Sequence, residues 1–165
     1  MAYELVETIE VGSGGAASIE FTSIPQDGVD LVLKINGRGD GSGVGRNAVI
    51  DFNNTNAGFS RIRLAGNGSS ASSNSTSNTI GFLTKIPAAA TTSSTFGNLS
   101  ILISNYTSSE NKSFSVDSVG ENNATEADQE ITANLWANTN AITSVKLNLN
   151  DNWSQYSTAS LYKIS

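Results

Sequence analysis

The chain's capacity for acid and base chemistry rests on fifteen Asp and Glu residues, because its 165 residues include no histidine and no cysteine. Without cysteine, thiolate nucleophiles and thiolate zinc sites are excluded. Without histidine, a Ser-His-Asp triad cannot form, and no Gly-x-Ser-x-Gly elbow is present. Two carboxylates facing each other across a cleft could hydrolyse a glycosidic bond, but no pair among the fifteen is privileged. Glu4, Glu7, Glu10 and Glu20 read as solvated strand-face charges of the kind that keep sheet edges apart. The sequence therefore points away from an enzyme.

Three other groups could bind something. Glu121 to Asp128 and the turn Asn148 to Asn152 are rich in the oxygen ligands that Ca²⁺ prefers, without the spacing of an EF-hand loop. Asx turns that cap their own backbone account for both segments equally well, so no cofactor is expected and any calcium would be structural. Arg38-Gly39-Asp40 has the tripeptide that some integrin ligands display, inside a stretch with five glycines in nine residues, Gly37 to Gly45. A flexible exposed turn is the simpler reading. Among the aromatics Tyr106, Trp136, Trp153, Tyr156 and Tyr162, the pair Trp153 and Tyr156, set in the polar segment Asp151 to Thr158, is the candidate glycan-stacking surface.

These groups must be held by elements that alternate apolar and polar residues along the whole chain, the period-2 signature of half-buried strands. Ile19 and Phe21 point together; so do Leu31, Leu33 and Ile35. Tyr3, Leu5, Ile9 and Val11 share one face of the first segment, and Ile62 and Leu64 are expected inward with Arg61 and Arg63 outward. Residues 66–78 form a Gly/Ser/Asn stretch too polar to pack a core, expected as a surface loop. Pro87 to Thr91 could close one helical turn. About ten short strands without crossover helices predict an all-β, antiparallel β-sandwich of jelly-roll type, as one domain over 1–165.

Composition narrows the partners. The formal charge is −6, the nine basic residues are scattered, and Ser, Thr and Asn supply 59 of the 165 residues. Binding nucleic acid through phosphates needs clustered Lys and Arg, so none is expected. No apolar run reaches the length of a membrane span, and Met-Ala-Tyr-Glu-Leu lacks a basic start and an apolar run, so no signal peptide is expected and synthesis is placed in the cytoplasm of the cell that makes it. A weakly charged, hydroxyl-rich surface binds by shape and neutral hydrogen bonds, which salt screens little. Any exposed apolar patch is expected to be covered by a neighbouring subunit.

The segment from Val11-Gly12-Ser13-Gly14-Gly15 through Ser18-Ile19-Glu20-Phe21-Thr22-Ser23-Ile24-Pro25 resembles a recurrent opening in small β-rich virion proteins of tailed, especially aquatic, bacteriophages. Lys112 to Val119, Glu121 to Thr125 and the ending Ser160-Leu161-Tyr162-Lys163-Ile164 resemble later strands of the same group, so the likeness spans nearly the whole chain. It implies a place on the virion surface and carries over no functional residues. Two virion roles follow. A head decoration or cement protein would bind the major capsid protein or other virion proteins, as a homo-oligomer and by preference a trimer. A tail-fibre or receptor-binding tip would recognise a host glycan. The first strand begins at residue 3, with no room for a fibre attachment segment ahead of it, which favours decoration. A free lectin-like carbohydrate-binding module is the reading outside the virion.

Overall fold

The structure, a computed structural model, describes residues 2–121 and 127–165. These residues form twelve strands and no helix: β1 (Tyr3–Glu10), β2 (Ala16–Phe21), β3 (Asp30–Gly37), β4 (Gly45–Phe52), β5 (Phe59–Gly66), β6 (Ala71–Thr79), β7 (Phe82–Pro87), β8 (Gly97–Ile103), β9 (Lys112–Glu121), β10 (Ala127–Trp136), β11 (Val145–Trp153) and β12 (Thr158–Ile164). Accordingly, no helix among them is long and apolar enough to cross a membrane.

Two antiparallel sheets result, one of eight strands in the order β1-β12-β3-β8-β9-β10-β5-β6 and one of four in the order β2-β11-β4-β7. The quartets β1-β12-β3-β8 and β2-β11-β4-β7 are the two sheets of a jelly roll, connected as paired Greek keys. Two hairpin excursions are added to it. The β5–β6 pair leaves between β4 and β7, the β9–β10 pair leaves between β8 and β11, and together they continue the larger sheet beyond β8. The larger sheet therefore overhangs the smaller one.

Sheet-on-sheet burial explains the alternation. Leu31, Leu33 and Ile35 of β3 face Ile19 and Phe21 of β2 and Ile50 and Phe52 of β4 in one contiguous core. At one end Phe52, Phe59, Phe114 and Trp136 cluster with ring centroids 5.3 to 6.2 Å apart, several edge to face, the arrangement that ring quadrupoles favour.

Four sequence expectations are corrected here. The register shifts between Leu5 and Glu7, and this bulge reverses the alternation, so Tyr3 and Leu5 are exposed while Val6 and Ile9 pack on the core. Residues 66–78 are not a loop: only Asn67 to Ser70 turn, Asn67 Oδ1 accepting from Ser69 and Ser70, and β6 follows as a nine-residue strand exposed throughout. It is a strand because β5 supplies its hydrogen-bonding partner, not because it buries anything. Pro87 to Thr91 holds a turn, with Thr91 N donating to Ala88 O at 3.0 Å, and no helical turn. Lastly, β5 is inverted, Ile62 and Leu64 lying on the solvent face.

Candidate functional site

The overhang creates a place where charged and polar side chains converge on an open space. Between the edge strand β7 and the inner faces of β9, β10, β5 and β6 lies a cleft of about 300 Å³. Alternation puts Glu130 of β10 and Arg63 of β5 on that inner face, because their neighbours Ile131 and Leu64 face solvent and pair directly with each other. Glu130 is buried. One of its oxygens accepts from Arg63 Nη2, and the other accepts from Thr84 Oγ1 at 2.8 Å. Ser118 Oγ stands 3.0 Å from Thr84 Oγ1 and extends the network.

Burial alone would raise the Glu130 pKa. The bonds from Arg63 and Thr84, with the positive charges of Arg63 and Arg61, outweigh it and hold the carboxyl below its ordinary 4.5. The same bond raises the Arg63 pKa. Glu130 is thus a fixed, paired anion, poorly suited to donating or accepting a proton near neutral pH. Its neighbour Arg61 lies with its guanidinium carbon 4.1 Å over the Phe82 ring, and its Nε and Nη1 are buried with no hydrogen-bond partner. Desolvation lowers its pKa, and the like charge of Arg63 adds to that.

Lys85, Asp128 and Glu121 complete the charged lining, among serines, glycines and small apolar residues. No aromatic ring lines the cleft among the described residues. It can hold a small polar molecule by hydrogen bonds, and it lacks the stacking face that gives sugar sites much of their contact area. The sequence signal for this network was the Arg61/Arg63 alternation itself. It is compatible with either face being inward, and the hydrophobic-in rule selects the wrong one where the sheet has no apolar partner opposite.

The expected glycan pair is not assembled. Trp153 is fully buried, its Nε1 donating to Leu147 O at 3.3 Å, and a Cβ on Gly37 would come within 2.5 Å of its ring. Tyr156 is 62% exposed, in the left-handed region at φ 69°. One ring lies inside and one outside, so the two present no common face. Tyr106 and Trp136 are also core residues, Tyr106 donating its hydroxyl to Pro25 O.

The oxygen-rich segments are committed as well. Asn148 to Asn152 lies within β11 rather than in a turn. Asn148 Nδ2 donates to Asp51, Asp151 pairs with Arg46, and Asn152 donates twice to Asp40. Of the Glu121 to Asp128 segment, residues 122–126 lie outside the described residues. No group of three or more acids able to hold a metal is found among the described residues.

Arg38-Gly39-Asp40 is not a free loop. The Arg38 guanidinium donates to Thr91 Oγ1, Thr92 O and Thr95 O at 2.7 to 3.0 Å, clamping the β7–β8 connection, while Asp40 accepts from Asn152. The two side chains serve different neighbours. Arg38→Ala is expected to cost about 2 kcal/mol of stability, since several charge-assisted bonds vanish and carbonyls lose donors. Urea unfolding checks this, and an unchanged midpoint would mean that the clamp contributes nothing. Comparison with protein families, characterised proteins and solved structures finds no match to this chain.

Proposed function

We propose that this chain is a non-enzymatic structural protein of a virion surface, in the first place a decoration or cement protein on the head of a tailed bacteriophage. The observation that carries the proposal is an uncovered apolar strip on the outer face of the overhang. Ile62 and Leu64 of β5 and Ile131 and Leu135 of β10 are 40% to 60% exposed, and Ile131 opposes Leu64 directly while Ala133 opposes Ile62. Serines flank them, Ser73 and Ser75 on β6 and Ser113 and Ser115 on β9. A polar-rimmed apolar surface of this kind suits a permanent protein neighbour, here the major capsid protein or another virion protein. The resemblance supports the location, and the apolar face supports the mode of attachment.

The alternative, a tail-fibre tip that binds a host glycan, has only the hydrogen-bonding cleft lined by Lys85, Arg63 and Glu121 in its favour, a site that would hold a sugar without ring stacking. Labelling virions with an antibody to this chain, and counting copies per particle after a high-salt wash, separates the readings. Hundreds of copies over the head, retained through the wash, are expected. A few copies at the tail would make the protein an adhesin and send the cleft to a glycan array, and loss of head copies in salt would remove the apolar strip as the attachment surface.

A further inference from the structure

We propose that β6 is a self-association edge, pairing antiparallel with β6 of a second copy of this chain across a two-fold axis near Asn74. Each sheet has two edge strands, which makes four. Three carry the features that block strand addition: β1 has Glu4, Glu7 and Glu10, β2 has Glu20, and β7 has Lys85 and Pro87. β6 carries no charge and no proline, the sequence is uncharged from Leu64 to Thr84, and its one bulge, between Thr76 and Thr79 with Asn78 at φ 52°, leaves the stretch from Ala71 to Thr76 regular. It is also nine residues long and paired on one side only.

A second copy is the partner that these facts select. The chain bears a net charge of −6, so two copies repel wherever charged surfaces meet, and β6 is where backbone can meet backbone without that repulsion. Its residues Ser72, Ser73, Asn74, Ser75 and Thr76 each both donate and accept, so the strand complements itself, and hydroxyl pairs such as Ser72 with Thr76 across an antiparallel ladder are favourable. A strand with no charge offers nothing to draw in an unlike, charged partner.

Symmetry fixes the register. A two-fold axis normal to a continuous sheet keeps each side chain on its own face, so directly opposed residues must share a face. Residues alternate faces, so the axis must lie midway between a residue and its own copy, and overlap of the strand centres the register on Ser73, Asn74 or Ser75. Ser73 and Ser75 share the solvent face with Leu64 and Ile62. Centred on Asn74, Ser73 of one copy opposes Ser75 of the other; centred on Ser73 or Ser75, that residue opposes its own copy, so every register sets at least one of positions 73 and 75 against 73 or 75. The contact closes at two copies, and it is independent of any threefold contact and of where on a virion the protein sits.

The test is sedimentation across a concentration series, with folding verified by circular dichroism. Wild type is expected to dimerise. Ser73→Lys with Ser75→Lys, and separately Ser73→Glu with Ser75→Glu, each set like charges in opposition and are expected to weaken the dimer about tenfold or more, while an equimolar mixture of the two restores it. A monomeric wild type overturns the proposal, and so does a dimer that both variants leave intact. Should either variant fail to fold, single cysteines at 73, 74 and 75 in this cysteine-free chain give the same answer: an oxidised dimer supports the pairing, and no cross-link at any of the three overturns it.

Discussion

Trp153→Ala is expected to destabilise the chain by about 3–5 kcal/mol, the range for removing a buried aromatic ring that its surroundings cannot refill. The site cannot collapse easily. Gly37 already lets the ring lie against backbone, and the indole N–H holds Leu147 O across the irregular part of β11. Truncation therefore removes packing and the indole hydrogen bond together. Against a typical total stability of about 5–15 kcal/mol, such a loss should lower the urea midpoint by about a fifth or more, and at the low end of that range it would leave the chain largely unfolded. Trp153→Phe should recover much of it. Tyr156→Ala, removing an exposed ring, should change stability by less than about 0.5 kcal/mol. Equal, small effects for the two substitutions would contradict the placement of Trp153 in the core and reopen its use as a contact surface.

The contrast between these two residues shows what could be read from sequence. Fold class was legible because the period-2 pattern of β2, β3, β9 and β12 reflects burial between two sheets, and burial acts on residue type directly. Ile19 with Phe21, and Leu31 with Leu33 and Ile35, fall in the core as their spacing requires. Trp153 was misplaced because its neighbours Asn152 and Ser154 are polar, and local polarity does not reveal that β11 ends beneath Gly37. β6 was missed for a related reason, since a strand of Ser, Thr and Asn buries nothing and its strand state is imposed by pairing to β5. The inversion of β5 has the same root. Where the larger sheet outruns the smaller, no apolar layer stands opposite its inner face, so ion pairing of Arg63 with Glu130 decides which residues turn inward.

That ion pair gives the second large effect. Glu130→Ala is expected to cost about 3–5 kcal/mol, because it leaves Arg63 half-buried without its anion and Thr84 without its acceptor. Replacing both partners, as Arg63→Leu with Glu130→Leu, should cost much less, since breaking a largely buried pair costs more than an intact one contributes. The pH dependence carries a sign. The folded pKa of Glu130 lies below its ordinary 4.5, so its contribution is fully present above that value and is lost as pH falls through the folded value. Stability measured by urea unfolding from pH 7 downward should therefore decline below about pH 4.5 more steeply in wild type than in Glu130→Gln, which has no proton to take up at that position. Parallel profiles would mean that Glu130 titrates alike folded and unfolded, and that the overhang is held by its hydrogen bonds without its charge.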